Sequence, residues 1–270
     1  MKVLFKANDA KAQGLEHTSD VIGYLESLSF EVFSLDGSYD RPAATDLKSI
    51  DFAVILGGDG TIIEFARQYK EYSIPIFGIN LGRVGALAIS ELSNYKSYLS
   101  KVAKGEYKIS ERITLEATVK DEKEILFNDI SIASVDNDLG NFFVVVNDKY
   151  ENSFYADGLL VSTPTGSSAY NYSAGGPLLL ETNTAYVLTP ICPQFIAFNS
   201  VVLSKVDEIS IRICKNDSVA SCDGCNKYQL SKDDEIKIKV GDVKLKLISF
   251  EERSTLYGAI YKIAKSIYKD

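Results

Sequence analysis

The residues best suited to chemistry in this sequence lie in one short stretch that combines three glycines with a single carboxylate. The stretch reads Gly57-Gly58-Asp59-Gly60-Thr61. Glycines leave backbone N–H groups open to a bulky anion, and a helix starting behind them would add the positive end of its dipole. Asp59 would repel phosphate in a simple anion site, but it could orient or deprotonate a hydroxyl beside a phosphate. The alternative interpretation is a tight turn in which Asp59 caps the helix.

The residues around this stretch predict a buried parallel strand followed by a helix. An apolar run over Asp51–Leu56 enters the glycines, and apolar residues recur with helical spacing from Thr61 onward. The other elements predicted in the first hundred residues are strands over Lys2–Ala7, Phe30–Leu35 and Ile74–Ile79, a helix capped by Thr18 or Ser19, and a helix over Ser90–Lys104. This alternation predicts a doubly wound α/β domain.

Ligands in such sheets gather at the carboxyl ends of the strands. The stretch Gly57–Thr61 follows one strand end, and a second glycine-rich loop, from Asn80 through Arg83 to Ala86, follows the next. Asn80 and Arg83 are therefore secondary candidates for the same site.

The second half of the chain changes to a period of two, which is typical of strands. The predicted strands are Ile109–Lys120, Glu124–Ala133, Phe142–Val146, Leu159–Ser162, Ala185–Leu188, Glu208–Ile213, Glu235–Val240 and Val243–Ile248, the last two joined as a hairpin. Many short strands predict a β-sandwich-like domain. An amphipathic helix at the C-terminal end is expected to pack on the first domain. The predicted domains are therefore 1–106 together with the helix 253–270, and 107–252.

Composition limits the classes of function. Asp and Glu number 37 against 29 Lys and Arg, which gives a net charge of −8. Such a chain lacks the basic surface that nucleic-acid binding usually requires. No run reaches the length of a membrane span, and the N-terminal residues do not form a signal peptide. The four cysteines are too few for a disulfide framework in a chain of this size, so we expect a soluble cytoplasmic protein.

A second unusual stretch, Tyr155–Pro177, is dense in hydroxyls and small residues. It predicts a strand that runs into a long uncharged loop with a Gly-Gly-Pro end. Hydroxyls and exposed backbone suit the edge of a purine, and Tyr170 could stack on it. The alternative is a Ser/Thr-rich surface turn, although the length of the stretch and its lack of charge disfavour it.

Taken together, these motifs resemble the NAD kinase family. That family carries a Gly-Gly-Asp-Gly motif, an Asn-Glu or Asn-Asp pair, and an Asp-Gly…Ser-Thr-Pro-Thr-Gly-Ser-Thr-Ala-Tyr…Ser-Ala-Gly-Gly-Pro block. This chain has Gly57–Gly60, Asn128-Asp129 and Asp157–Pro177 in the same order. The first motif also occurs in lipid kinases and phosphofructokinases, whereas the long block is specific to NAD kinases. The resemblance covers almost the whole chain.

The resemblance implies that ATP phosphorylates the 2′-hydroxyl of the adenosine ribose of NAD, giving NADP with the help of Mg²⁺ or another divalent ion. Asp59 would be the general base, with Gly57, Gly58, Gly60 and Thr61 at the phosphates. Residues implied in NAD binding are Asn128 and Asp129 at ribose hydroxyls, Ser168, Ala169 and Tyr170 around adenine, and Asp157 and Ser173 at the nicotinamide end, with Thr165 and Asp223 as further candidates. The implied fold places the site between the two domains, in a homodimer or homotetramer.

Several positions depart from the family pattern. Arg is frequent two residues before the Asp-Gly, where this chain has Tyr155, and it is common at the place of Glu64. The Pro-His-(Ser/Thr)-Leu…Arg-Pro segment of many members is replaced around Gln194 and Asn199. Cys225 occupies the position after Asp-Gly, where many members have Gln. Fewer cations near the phosphates leave open whether ATP or polyphosphate is the donor. Arg83 could compensate for them.

Three alternatives accompany this interpretation. A non-catalytic NAD(P) sensor on the same scaffold would explain the missing cations. A lipid or sugar kinase would share only Gly57–Thr61, and the long second block argues against it. Structural zinc at Cys222-x-x-Cys225, with Cys192 and Cys214, lacks the second Cys-x-x-Cys pair that such sites use. The only histidine, His17, precedes a predicted helix cap, so a Ser-His-Asp hydrolase is excluded.

Overall fold

The computed structural model describes residues 1–8, 12–81, 86–135, 138–195 and 199–250. The chain divides into two compact units, Met1–Glu111 with Leu245–Asp270, and Arg112–Lys244. The predicted domain boundaries at 106/107 and 252/253 remain predictions. Within the described ranges, no helix combines the length and the apolar character needed to cross a membrane.

The first unit is built on a parallel sheet. Its strands are β1 (Lys2–Ala7), β2 (Glu31–Phe33), β3 (Phe52–Leu56), β4 (Ile76–Asn80) and β5 (Ser90–Glu91). They lie in the order β2-β1-β3-β4-β5, and each neighbouring pair is parallel. All five residues of β3 are buried, as their continuous apolar run predicts.

Helices connect these strands and cover their apolar side chains. They are α1 (Ala12–Ser27), α2 (Asp59–Gln68) and α3 (Tyr95–Ala103). One core joins apolar residues of β1, β3 and β4 to Leu25 of α1 and Leu99 of α3. Because strand order reverses between β1 and β3, the carboxyl ends of these two strands form the switch point at which such sheets bind ligands. The stretch Gly57–Thr61 begins directly there.

The strands predicted over Phe30–Leu35 and Ile74–Ile79 are Glu31–Phe33 and Ile76–Asn80 in the structure, and the three predicted helices also begin at other residues. Helix α1 begins at Ala12, so Thr18 and Ser19 lie inside it and are not its caps. Helix α2 begins at Asp59, two residues earlier than predicted. The predicted helix over Ser90–Lys104 is a short strand followed by α3. Asn94 is the N-cap of α3, and its side chain accepts the N–H of Glu91 at 2.9 Å, which separates the strand from the helix.

The second unit is a β structure with antiparallel pairing. Its strands are β6 (Lys108–Val119), β7 (Glu122–Leu126), β8 (Asp129–Ser134), β9 (Gly140–Val146), β10 (Tyr150–Ser162), β11 (Tyr186–Pro193), β12 (Val201–Leu203), β13 (Ile209–Lys215), β14 (Ser218–Cys222), β15 (Asn226–Leu230) and β16 (Glu235–Ser249). Strands β6 and β16 cross the boundaries between the units. Neighbours in the order β15-β14-β8-β10-β9-β13-β16 are antiparallel.

Strand β10 is the centre of this unit. Its first half pairs with β9, and its second half lies between β8 and β11. Alternate residues of these strands fill a separate apolar core, which includes Phe142, Leu159 and Ile211. The beginning of the Tyr155–Pro177 stretch is therefore part of a strand that is paired on both sides.

The structure corrects three of the predicted strands of the second unit and lengthens a fourth, because the predicted Leu159–Ser162 is only the end of β10. The predicted hairpin at Gly241-Asp242 does not form, because β16 runs without a turn from Glu235 to Ser249. Gly241 instead allows close approach: a Cβ there would lie 2.8 Å from Oγ1 of Thr114, a hydroxyl that bonds the carbonyl of Val243 at 2.7 Å. The predicted strand Glu124–Ala133 is interrupted at Phe127-Asn128.

Three strands of the second unit were not predicted: Val201–Leu203, Ser218–Cys222 and Asn226–Leu230. The predicted C-terminal helix, 253–270, lies outside the described residues.

Candidate active site

The first group of candidate residues surrounds the glycine stretch. Gly57 donates its N–H to the carbonyl of Ile79 at 2.9 Å, which ties the end of β3 to β4. A Cβ on Gly57 would lie 2.6 Å from Oγ1 of Thr61, so the turn needs glycine at this position. Apart from the glycine's chain neighbours and its own helix, no described residue has an atom within 4 Å of the place that a Cβ would take on Gly58 or Gly60. The space beside these two glycines is therefore open to a ligand.

The N-terminus of α2 presents free donors to this open space. The N–H groups of Gly58, Asp59 and Gly60 make no hydrogen bond to any residue that the structure describes, whereas the N–H of Thr61 already bonds the carbonyl of Gly58. Gly60 is exposed. Three free N–H groups at the positive end of a helix form a site suited to phosphate.

The carboxylate of Asp59 holds the neighbouring segment of the chain. It accepts hydrogen bonds from the backbone N–H groups of Ala86 and, at 3.0 Å, Leu87. The N-cap of α2 is Gly58, so the interpretation of Asp59 as a helix cap was wrong. A carboxylate offers about four acceptor directions. Asp59, which is half-buried, can therefore still accept a proton or a hydrogen bond from a hydroxyl.

Of the remaining candidates of the first unit, Thr61 and Asn80 are buried. Oγ1 of Thr61 accepts a 2.9 Å hydrogen bond from Nδ2 of Asn8, which was not predicted as a site residue. Asn80 lies at the end of β4. Arg83 lies outside the described residues. The bond between Asn8 and Thr61 thus ties the carboxyl end of β1 to the first turn of α2.

The second group of candidates lies in the second unit, around the interruption between β7 and β8. The carboxylate of Asp223 accepts the backbone N–H groups of Phe127, Asn128 and Asp129, at 2.9, 2.7 and 3.1 Å. In return, the N–H of Asp223 bonds the carbonyl of Asp129 at 2.9 Å. The structure therefore brings Asn128, Asp129 and Asp223 together, although 94 residues separate the last two in sequence.

The carbonyls of the same turn are held from the long block. The N–H of Thr163 donates to the carbonyl of Asn128 at 2.9 Å. The hydroxyl of Thr163 donates to the carbonyl of Phe127 at 2.8 Å. The same hydroxyl accepts the N–H of Gly166 at 3.0 Å. A Cβ on Gly166 would lie 2.2 Å from the carbonyl oxygen of Asn128. Gly166 is thus required for close approach of the two motifs.

Thr165 carries an unsatisfied hydroxyl. The residue is 5% exposed, and its buried Oγ1 has no hydrogen-bond partner in the described part of the chain. A buried hydroxyl without a partner costs about 1–3 kcal/mol. A ligand that hydrogen-bonds it would remove this cost.

The rest of the block separates into a buried and an exposed set. Asn171 is fully buried; it donates to the carbonyls of Ser167 and Pro177 and accepts from Thr189 at 2.7 Å. The candidates around it are more accessible: Ser168 is half-buried, and Ala169, Tyr170 and Ser173 are exposed. Asn171 therefore fixes the loop whose outer side presents the candidates.

Family models match both parts of the chain. The model of the ATP-NAD kinase N-terminal domain matches residues 11–107, and that of the ATP-NAD kinase C-terminal domain matches residues 128–250. The chain belongs to the ATP-NAD kinase family. The NAD kinase of Natranaerobius thermophilus is 36% identical over 88% of this chain and 85% of its own length. That of Sulfurimonas denitrificans is 40% identical over 75% of this chain and 73% of its own length.

Two solved structures share the fold of this ATP-NAD kinase family member. An NAD kinase from Archaeoglobus fulgidus in complex with ATP aligns with a TM-score of 0.78 and 27% identity, over 97% of this chain and 98% of that one. Yeast NADH kinase complexed with NADH aligns with a TM-score of 0.86 and 23% identity, over 100% of this chain and 89% of that one. The predicted combination of an α/β domain with a β-rich domain is confirmed.

The positions where this family member departs from the common pattern are mostly at the surface. Glu64, Tyr155, Gln194, Asn199 and Cys225 are all exposed. Gln194 donates its N–H to the carbonyl of Tyr155 at 2.8 Å, so two of these departures are adjacent.

Asp157 lies away from the turn that holds Asp129. It is exposed on β10, five residues before Ser162. Ser162 is the residue that pairs with Asp129. At about 3.3 Å per residue, five residues correspond to about 16 Å along the strand. The structure therefore does not bring Asp157 to the same point as Asp129.

The carboxyl of Asp129 titrates near neutrality. Burial, with the negative charge of Asp223 as a smaller contribution, raises the pKa of Asp129 from its ordinary value of 3.8 to about 7. The charged form of a buried acid beside a second carboxylate is disfavoured. Asp129 therefore changes its charge at a pH near neutrality.

This pKa predicts a pH dependence of stability with a defined sign. A raised pKa means that the folded state binds the proton more strongly, so the contribution of Asp129 to the free energy of unfolding is present below pH 3.8 and is lost as pH rises to about 7. We expect a loss on the order of 2–4 kcal/mol. Asp129→Asn should abolish this part of the dependence. Denaturant unfolding of both proteins between pH 5 and 8 measures it, and parallel curves for the two would contradict the assignment.

Proposed function

We propose that this chain phosphorylates the 2′-hydroxyl of the adenosine ribose of NAD with ATP, using Asp59 as the general base. The class of reaction follows from membership of the ATP-NAD kinase family. The residue roles are the proposal. The observation that carries them is the half-buried carboxylate of Asp59 beside three free N–H groups at the switch point of the parallel sheet.

In the proposed reaction, the hydroxyl oxygen attacks the γ-phosphorus of ATP. A new O–P bond forms, the bond between the γ-phosphorus and the β,γ-bridging oxygen breaks, and ADP leaves. Asp59 takes the proton of the hydroxyl, while the N–H groups of Gly58 and Gly60 hold phosphate oxygens. Such a reaction needs mainly positioning and charge stabilisation, to which the carboxylate and the N–H groups would both contribute.

The second unit is proposed to hold NAD. Asn128 and Asp129 would accept hydrogen bonds from ribose hydroxyls, and Ser168, Ala169 and Tyr170 would surround adenine. Two observations support this: Tyr170 is 46% exposed on the outer side of its loop, and the hydroxyl of Thr165 lacks a partner in the described chain. Asp157 and Ser173 are assigned to the nicotinamide end; both are exposed, and Asp157 lies apart from Asp129 along β10.

Mg²⁺ is proposed to enter with the phosphates of ATP. In the described ranges, no three His, Cys, Asp or Glu side chains are grouped to hold a metal ion. Mg²⁺ commonly keeps several waters and binds through substrate phosphates with one or two carboxylates. Asp59 is the carboxylate that would bind it. The bound ion would neutralise charge on the β- and γ-phosphates.

We further propose that the protein is a cytoplasmic homodimer or homotetramer that binds neither nucleic acid nor membranes. The net charge of −8 supports the absence of nucleic-acid binding. Polyphosphate is proposed as an alternative donor, because N–H groups recognise phosphate without reading a base.

A coupled assay tests this function. The protein is incubated with NAD, Mg²⁺ and either ATP or polyphosphate, and NADP is detected with an NADP-specific dehydrogenase. A parallel reaction replaces NAD by NADH. We expect NADP formation that requires a phosphate donor and the divalent ion. NAD binding by calorimetry without NADP formation under any of these conditions would instead support the non-catalytic sensor.

A further inference from the structure

Asp223 occupies the tip of the hairpin between β14 and β15. The turn Cys222–Cys225 is closed by a 2.9 Å hydrogen bond between its end residues, and Asp223 and Gly224 have φ of +48° and +70°. Two consecutive positive φ values are typical of a type I′ turn, which favours Asp-Gly and Asn-Gly. Turn geometry alone therefore explains an Asp at this position, but it does not explain where the carboxylate points.

The carboxylate of Asp223 binds three consecutive N–H groups of another segment. Oδ1 accepts the N–H groups of Asn128 and Asp129, and Oδ2 accepts that of Phe127. The carbonyls of Phe127 and Asn128 are held from the opposite side by Thr163. The backbone of this turn is thus fixed through both its donors and its acceptors.

The side chains of the turn remain available. Asn128 is half-buried and Asp129 is 8% exposed. Neither side chain makes a hydrogen bond to a residue that the structure describes. A backbone so fully bonded, with two polar side chains left uncommitted, is suited to presenting those side chains in one orientation.

We propose that Asp223 is a positioning residue that orients Asn128 and Asp129 toward the dinucleotide. The inference rests on the proposed function, in which this pair binds ribose hydroxyls. Asp223 acts through the backbone of the turn and does not itself contact the substrate. It therefore sets the affinity for NAD and leaves the phosphate-binding residues of the first unit unaffected.

Asp223→Asn tests the positioning role of the carboxylate while it keeps the hairpin turn intact. Asn-Gly suits a type I′ turn at least as well as Asp-Gly, so the hairpin is retained. The amide, however, has one acceptor oxygen and places an NH₂ group against a backbone N–H. We expect KM for NAD to rise about 5- to 150-fold, the range for leaving one buried donor unsatisfied. KM for ATP and kcat should stay within about threefold.

The assay is run at about pH 8.5, above the pKa of Asp129, so that the lost charge of Asp223 does not alter the ionisation of that residue. The matched control is Asp234→Asn. Asp234 accepts the N–H of Ser231 at 2.8 Å in the turn before β16, and its replacement should leave both KM values unchanged.

Two further measurements make the result decisive. Thermal unfolding should place the midpoint of Asp223→Asn within a few degrees of the wild type. In a double-mutant cycle with Asn128→Ala, the effects on KM for NAD should be less than additive, because Asp223 acts through that turn. Unchanged KM for NAD in the folded variant, or equal increases of KM for NAD and ATP, would overturn the proposal. Absence of turnover in the wild type would contradict the proposed function alone, since calorimetry with NAD still compares the variants.

Discussion

Asp59→Asn is expected to lower kcat by about 10²–10⁴, the usual contribution of a positioned general base, while NAD still binds. The amide cannot take the proton of the attacking hydroxyl. Its oxygen can replace one of the two acceptors that bind the N–H groups of Ala86 and Leu87. Steady-state kinetics with ATP and NAD, together with calorimetric titration of NAD, would measure the two parameters separately.

Asp46→Asn is the matched control for this change. The carboxylate of Asp46 accepts the N–H of Lys48 at 3.0 Å in the same unit, so the substitution repeats the loss of a carboxylate bonded to backbone without touching the glycine stretch. The control should keep wild-type kcat. If Asp59→Asn retained kcat within about threefold, Asp59 would be a structural residue that holds Ala86 and Leu87.

The elements that the sequence predicted correctly are those whose signal is local. The apolar run that ends at Leu56 is a buried strand because its own composition requires burial on both faces. Gly241 failed as a turn signal because the reason for glycine there is the hydroxyl of Thr114 on another strand. The break at Phe127-Asn128 likewise depends on Asp223, almost a hundred residues away. Local patterns carry no information on such partners.

The same limit applies to the candidate site. The motifs named the residues that present polar groups, including Asp59, Asn128 and Asp129. Apart from Asp223, they did not indicate the residues that hold these groups in place, such as Asn8 and Asn171. Asn8 bonds Thr61 across 53 positions, and Asn171 bonds Thr189 across 18. Asn171 lies inside the quoted block, so its burial could have been suspected there, but Asn8 has no sequence signal.

Gly166→Ala is expected to cause the second large effect. The new Cβ would lie 2.2 Å from the carbonyl oxygen of Asn128 and 2.6 Å from its carbonyl carbon, and backbone atoms cannot move aside as a flexible side chain does. The turn that carries Asn128 and Asp129 must therefore shift. We expect a loss of about 3 kcal/mol in the free energy of unfolding, at the upper end for overpacking, and at least a tenfold weaker affinity for NAD, a change of about 1.4 kcal/mol.

Gly23→Ala provides the control, because it adds the same methyl group where no described residue outside its own helix has an atom within 4 Å. Gly23 is exposed inside α1, so alanine there should raise stability by up to about 1 kcal/mol through helix propensity and leave NAD affinity unchanged. Denaturant unfolding and calorimetric titration of NAD compare the two variants. If Gly166→Ala kept both stability and affinity, the Asn128 turn would tolerate displacement. The orientation of Asn128 and Asp129 could then not be what determines dinucleotide binding.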